Sequence, residues 1–140
     1  MVNYVVAKFK PEVDENCTFC NSEPETIQHL LFYCNISNRF VFECIDWYNN
    51  QGMNIDAQNL RVYEFLFLQK ERKRSMAGFF ALLNIKYFIW LSRCNKKIPI
   101  LADFITWHNK ELDIIVRNIE YYPRLGFAVN LLNNINGVPP

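Results

Sequence analysis

The sequence predicts a mainly α fold, in which a small cysteine-containing head packs on a helical bundle with two long antiparallel helices. Two observations lead to this prediction. Apolar residues recur at helical spacing over most of residues 76–122, and a cluster of cysteine and histidine residues lies within residues 17–34. The chain has 140 residues, of which 51% are hydrophobic and 21% charged. This length and composition suit one compact domain and exclude a disordered, charge-rich chain.

The head contains only weak secondary-structure signals. Residues 4–9 alternate between apolar and polar side chains, which indicates a brief strand or hairpin arm, and residues 11–16 are polar and turn-like. Ser22 followed by Glu25 matches a capping box. We therefore expect a short helix to begin near Glu23.

A second helix follows the head. Ser37 is a candidate N-cap, Gln51-Gly52 is a candidate end, and the residues at helical spacing between them form an apolar face: Phe40, Val41, Cys44, Trp47 and Tyr48. A linker covers about residues 51–60. Residues 60–68 are apolar without a clear period, so a strand and a helix both remain open there.

Two longer helices complete the bundle. The first begins at Arg72 or Ser75, and its apolar stripe is Met76, Phe80, Leu83, Tyr87, Trp90 and Cys94. Pro99 ends it and suits the start of the next helix, whose stripe is Leu101, Ile105, His108, Leu112, Ile115, Ile119 and Tyr122. A short turn between them predicts antiparallel pairing. We expect residues 1–50 to form the head with its following helix and residues 51–140 a helical region, within one compact domain.

The pattern with the clearest chemistry is Cys-x2-Cys-x8-His-x4-Cys, formed by Cys17, Cys20, His29 and Cys34. Three thiolates and one imidazole make the tetrahedral soft-donor shell that Zn(II) prefers. Such a closed shell leaves no position for substrate or water, so it predicts one structural zinc per chain and no catalytic metal. The alternative is that these are ordinary buried cysteines beside a helical histidine.

Geometry restricts how His29 and Cys34 share one ion. Five steps of a regular α-helix leave the two side chains roughly 140° apart, so we expect the helix to end or distort between them. We expect Cys44 and Cys94 to act as small core hydrophobes beside Trp47 and Trp90. His108, which also lies on an apolar stripe, is predicted to be a core histidine with satisfied hydrogen bonds.

Charge is unevenly distributed along a chain whose formal net charge is only +1. Residues 11–69 contain nine acidic and two basic residues, whereas residues 70–97 contain eight basic residues and one acidic residue. The basic segment is a candidate phosphate-binding surface without base readout, and its members are Lys70, Arg72, Lys73, Arg74, Lys86, Arg93, Lys96 and Lys97. By charge alone, a solvated basic face is the favoured interpretation of this segment. Phe19 either stacks on an unpaired base or packs locally.

The segment from Cys17 to Cys34, with its Glu-Thr-Ile-x-His-Leu core, resembles the zinc-binding region that follows the reverse transcriptase domain of LINE-type (non-LTR) retrotransposon polyproteins. The run from Lys86 to Cys94 is similar to a later helix of the same family. The resemblance covers roughly residues 4–122, implies the ligand roles of the four zinc-motif residues, and implies contact with template RNA or target DNA. It also favours the phosphate-binding interpretation of the basic segment over the solvated face.

Neither a polymerase Ala-Asp-Asp signature nor an endonuclease-like acidic cluster occurs, so no enzymatic activity is expected. The sequence thus predicts a zinc-stabilised module that binds RNA or single-stranded DNA, either a retroelement remnant or a small protein descended from one. The alternative is a zinc-stapled helical scaffold for protein–protein interaction. The five cysteines form no even disulfide set, and no signal peptide or membrane span is recognised. We therefore expect an intracellular protein of the nucleus or cytoplasm that does not insert into membranes.

Overall fold

The computed structural model describes residues 1–67 and 76–121, together with Gly126. Within these residues, five α-helices follow one another: α1 (Asn3–Val6), α2 (Asn35–Asn50), α3 (Val62–Phe67), α4 (Met76–Cys94) and α5 (Leu101–Arg117). A short π-helix, His29–Tyr33, precedes α2, and a 3-10 turn, Ile119–Tyr121, follows α5. Within the described residues the only β-type pairing is an isolated bridge between Asn16 and Pro24. The prediction of a mainly α fold is confirmed.

In the part of the chain that the structure describes, the buried apolar side chains form one cluster that extends from Val2 in the head to Leu112 in α5. At its centre lies Phe104, which is fully buried and whose ring contacts Phe40 of α2 at 5.8 Å and Phe88 of α4 at 5.5 Å between centroids. Edge-to-face contacts of this kind add to the large apolar area that each ring removes from water. The aromatic centre therefore joins α2, α4 and α5.

The beginning of the chain is helical, so the strand or hairpin arm expected for residues 4–9 is wrong. Val5 and Val6 donate their backbone N–H groups to the carbonyl of Val2, and Ala7 donates to Asn3. The side chain of Val2 is buried and anchors this turn. A weak alternation over six residues fits a single helical turn equally well, and the contact with the core decides between them.

The capping box at Ser22 is also wrong. Ser22 donates its hydroxyl to the carbonyl of Cys20, and the Glu25 carboxylate turns inward, away from any helix start near Glu23. After Glu25, helical backbone begins at Ile27. The motif failed because a buried ion pair, described below, competes for the Glu25 side chain more strongly than a local cap does.

Helix α2 agrees with the predicted helix except at its start. It begins at Asn35, and Ser37 is buried inside its first turn instead of capping it. The end is as expected, because Gly52 adopts a φ of 95° just beyond the last turn. Residues 60–68, left open between strand and helix, contain helix α3.

Helix α4 is described over Met76–Cys94, but the predicted stripe is not its buried face. Leu83 and Tyr87 are 44% and 52% exposed, and Cys94 is exposed. The buried side chains of α4 lie on another face: Ala81, Leu82, Ile85, Phe88, Ile89 and Ser92. Because α4 carries apolar residues on most sides, several stripes satisfy the same spacing, and periodicity alone cannot choose among them.

Helix α5 follows its predicted stripe more closely, since His108 and Leu112 are fully buried, but Phe104 was missed. Near the turn, α5 meets α4 through Phe104 and Trp107 against Phe88, as expected for helices that fold back across a short connection. Further along, its ring contacts are with α2, where His108 lies against Trp47. Tyr122, the last residue of the predicted stripe, lies outside the described residues.

Candidate metal centre

Cys17, Cys20, His29 and Cys34 come together in the head, and one ligand atom from each lies within 4.8 Å of all the others. The Cys20 Sγ and His29 Nε2 atoms are 3.3 Å apart, and the Cys17 and Cys34 Sγ atoms are 4.0 Å apart. Zinc–sulfur bonds of about 2.3 Å in a tetrahedron separate sulfur atoms by about 3.8 Å. The four side chains therefore fit one structural zinc ion, as the spacing predicted.

The first two ligands are positioned by a tight turn over residues 17–20. The turn is closed by Asn21, which donates its backbone N–H to the Cys17 carbonyl at 2.9 Å and has a φ of 54°. Asparagine tolerates this left-handed conformation better than most residues do. Within the turn, Phe19 donates its N–H to the Cys17 sulfur at 3.4 Å. Such a bond favours the thiolate form that a zinc ligand needs.

The His29–Tyr33 π-helix solves the geometric problem of the second pair. Cys34 donates its backbone N–H to the carbonyl of His29 at 2.7 Å, an i to i+5 bond that closes a wider turn than an α-helix has. Residues five apart then lie close to one side of the turn, instead of roughly 140° apart. The expected distortion between His29 and Cys34 is thus a π-turn, which ends at Cys34.

The π-turn is held by partners at both ends. Thr26 accepts the backbone N–H of His29 on its hydroxyl at 3.1 Å. From α2, Ser37 donates its hydroxyl to the carbonyl of Leu30, and Asn38 donates its side-chain amide to the carbonyl of Phe32 at 3.0 Å. These bonds satisfy carbonyl groups that the change from π-helix to α-helix leaves without backbone partners.

Cys34 is poised to be a thiolate. A hydrogen bond donated by the Cys17 thiol lowers the pKa of Cys34 to about 5. The backbone N–H groups of Ser37 and Ile36 also lower this pKa, whereas burial raises it. The same contact and burial raise the pKa of Cys17. Because Cys34 precedes the first residue of α2, its sulfur lies where the helix dipole also favours negative charge. A bound zinc would replace the shared proton as the group that neutralises both sulfurs.

A buried ion pair that no sequence pattern indicated lies behind the metal centre. Glu25 is fully buried, and Arg93 of α4 donates from Nε and Nη2 to its Oε1 at 3.1 and 3.0 Å. Burial by itself raises the pKa of Glu25, but hydrogen bonds from Thr18 and Asn3, together with Arg93, outweigh it and hold the pKa below its usual value. Glu25 was visible as part of the Glu-Thr-Ile-x-His-Leu core, but its partner lies 68 residues away.

The segment that contains the metal ligands is similar to a known protein family. Residues 1–40 match the family model of zinc-binding in reverse transcriptase. The match contains all four ligands and Glu25, and it covers less than a third of the chain. No curated protein and no solved structure matches the chain. The family model confirms the reverse-transcriptase part of the resemblance, whereas its LINE-type part stays a prediction because the family description does not name that class.

The predicted nucleic-acid contacts have different outcomes. Lys70, Arg72, Lys73 and Arg74 lie outside the described residues. The Lys86 Nζ donates to the carbonyl of Leu66, and partial burial lowers the pKa of this lysine. Arg93 is committed to Glu25, so its guanidinium is a structural group and not a free phosphate contact. Lys96 and Lys97 are exposed at the end of α4.

Phe19 is 7% exposed and belongs to the buried cluster. Stacking on a base requires an open ring face, so the structure supports the packing alternative and corrects the assignment of Phe19 as a nucleic-acid contact. The ring is enclosed because the turn over residues 17–20 directs it toward the core, which a sequence pattern does not reveal.

The structure also decides the predictions made for two further cysteines and one histidine. Cys44 is buried as expected, and burial raises its pKa, which makes it an unreactive thiol. Cys94 is exposed, so its expected core role is wrong. His108 is a core histidine, but neither ring nitrogen has a hydrogen-bond partner among the described residues, and the expectation of satisfied bonds is therefore wrong.

Proposed function

We propose that the chain is a non-enzymatic, zinc-stabilised module that binds RNA or single-stranded DNA inside the cell and resembles the C-terminal part of a LINE-type reverse transcriptase. The observation that carries the proposal is the Cys3His cluster within residues that match a reverse-transcriptase zinc-binding family. With four protein ligands, the metal has a structural role and leaves no open position for chemistry. Neither a polymerase nor an endonuclease motif occurs in the sequence.

Exposed positive charge beside the head supports nucleic-acid binding. Arg93 ties the end of α4 to the head through Glu25 and the carbonyl of Met1, and Lys96 and Lys97 follow it by three and four residues. Both lysines are exposed at the helix end. The basic run of residues 70–74 precedes the same helix in the sequence. Cations of this kind bind phosphates without reading bases, so we expect weak sequence preference.

The proposal is tested on the full zinc-loaded chain by fluorescence anisotropy with labelled single-stranded RNA and DNA of mixed sequence. The logarithm of affinity should fall linearly with the logarithm of salt concentration, with a slope of about 0.7 per phosphate contact. Reversing Lys96 and Lys97 to Glu should reduce that slope and weaken binding. Reversing Arg72, Lys73 and Arg74 to Glu should do the same without changing the zinc content.

Lys110→Glu is the matched control, because Lys110 is an exposed lysine on α5 outside the basic segment. It should bind nearly as the parent does. If the parent shows no salt-dependent binding, or if both reversals bind as tightly as the control, the basic residues form a solvated face and the nucleic-acid proposal fails.

An apolar groove favours a second candidate function, a helical scaffold that binds another protein. The groove encloses about 700 Å³ between the head and α4, and most of its lining is apolar, including Val2, Val5, Ile27, Leu30, Leu83, Tyr87 and Trp90. Exposed apolar surface of this kind is typical of interaction sites. A scaffold of this kind predicts no salt-dependent binding of the labelled RNA or DNA, so the same anisotropy experiment separates the two candidates.

The compartment follows only from the proposed function. Across residues 1–67 and 76–121, the structure contains no helix with the length and apolar character that crossing a bilayer requires. An intracellular site of action, in the nucleus or the cytoplasm, remains part of the proposal.

A further inference from the structure

Glu25 is a buried charge that three parts of the chain hold in place. Its Oε2 accepts the backbone N–H of Thr18 at 2.7 Å and the Thr18 hydroxyl at 2.6 Å. Its Oε1 accepts the N–H of Asn3 at 2.9 Å and both bonds from Arg93. Each oxygen is thus occupied by donors only, which is the arrangement that a carboxylate, and not a neutral side chain, satisfies.

Thr18 connects this carboxylate to the metal ligands, because it lies inside the turn that contains Cys17 and Cys20. The Thr18 N–H is one of the groups that this turn must satisfy, and the Glu25 carboxylate accepts it. The backbone of Glu25 is also tied to the head, since its N–H donates to Glu15 at 2.8 Å and its carbonyl accepts from Tyr4 at 3.2 Å. A shift of the carboxylate therefore moves the turn.

Arg93 fixes the carboxylate from the other side. Its side chain is only 17% exposed, its guanidinium lies over the Trp90 ring at 5.3 Å, and its Nη2 also donates to the Met1 carbonyl and the Asn3 side chain. A guanidinium with this many fixed partners has one orientation, which a lysine cannot reproduce. Arg93 therefore ties the position of the Glu25 oxygens to the position of α4.

We propose that Glu25 and Arg93 are positioning residues for the metal centre, which set the zinc affinity of the Cys17 and Cys20 turn and make α4 a support of that centre. Partners behind the ligands usually change metal affinity by about 10–100-fold when they are removed. The inference rests on the metal centre and not on nucleic-acid binding, so the two can fail separately.

The test is zinc affinity of the full chain, measured by competition with a chromophoric chelator. Glu25→Gln retains the side-chain size but presents an amide N–H group to positions that hold only donors, so affinity should fall about 10–100-fold. Glu23→Gln is the matched control, because Glu23 is an exposed glutamate two residues earlier in the same loop. It removes the same charge and should leave affinity unchanged.

Variants of Arg93 provide an independent test of the proposal. Arg93→Met should lower zinc affinity because it leaves the Glu25 charge buried without its partner, and Arg93→Lys should retain part of the affinity. In the double variant with Glu25→Gln, the loss should be smaller than the product of the two single losses, since both changes remove one interaction. The Co(II) absorption spectrum of each variant reports whether a tetrahedral thiolate site still forms.

Global destabilisation is distinguished from positioning by far-UV circular dichroism. A variant with parental helix content but weaker zinc binding supports positioning. If Glu25→Gln does not fold, Thr18→Ala removes only the hydroxyl bond and should weaken zinc binding by roughly tenfold. Parental zinc affinity in the folded Glu25→Gln variant, or in Thr18→Ala if Glu25→Gln does not fold, would overturn the proposal.

Discussion

Acidification should destabilise the protein through His108, a histidine that the core encloses. The imidazole is fully buried, and its ring centroid lies 5.1 Å from those of Trp47 and Tyr48 and 5.5 Å from that of Phe104. Burial lowers its pKa from 6.5 to about 4. Tyr48, the titratable group among these neighbours, stays neutral because burial raises its pKa.

The direction of the pH effect on stability follows from the lowered pKa of His108. The folded protein favours neutral His108, so the unfolded chain takes up a proton first as the pH falls below 6.5. The stability that neutral His108 contributes is fully present above pH 6.5. It is lost progressively as the pH falls to about 4, the pKa of His108 in the folded protein. With these two values, lowering the pH from about 7 to about 5 should reduce the free energy of unfolding by about 2 kcal/mol.

The assay is urea unfolding of the parent and of His108→Leu at both pH values, with zinc in excess. Leucine fills a similar apolar volume and cannot titrate. Acid also protonates the zinc ligands, but this affects both proteins, so the difference between their pH dependences isolates His108. That difference should be about 2 kcal/mol. If the two proteins lose equal stability on acidification, the reasoning about His108 is refuted.

Two further predictions concern the metal and the core. Removing zinc with EDTA, or by Cys20→Ser, should open the head and let chymotrypsin cut after the buried Phe19, while most of the helical circular dichroism remains. A cleavage rate that EDTA does not change would contradict a structural metal. Phe104→Ala should lower the free energy of unfolding by about 3–5 kcal/mol in urea titrations, because Phe104 is fully buried where α2, α4 and α5 meet. A cost below about 0.5 kcal/mol would place Phe104 outside the core.

The sequence by itself determined the features that depend on nearby residues. The identity and spacing of Cys17, Cys20, His29 and Cys34 were sufficient to predict the cluster, because ligand chemistry restricts which side chains bind zinc and short loops restrict where they lie. The presence of α2, α4 and α5 followed from apolar periodicity, and the end of α2 followed from the turn residue Gly52. The distortion between His29 and Cys34 was predictable as a requirement of helix geometry, although its π-helical form was not.

The tertiary structure alone decided which interactions the ambiguous residues make. Helix α4 is apolar on most sides, so only its neighbours determine that Phe88 is buried while Leu83 and Tyr87 are exposed. Glu25 satisfied a local capping pattern, yet it pairs with Arg93, a residue 68 positions away. A buried carboxylate must have a charged or hydrogen-bonding partner, and that requirement outweighs a local cap. Local patterns specify which structures a segment can form, whereas burial and pairing across the fold select the one that it adopts.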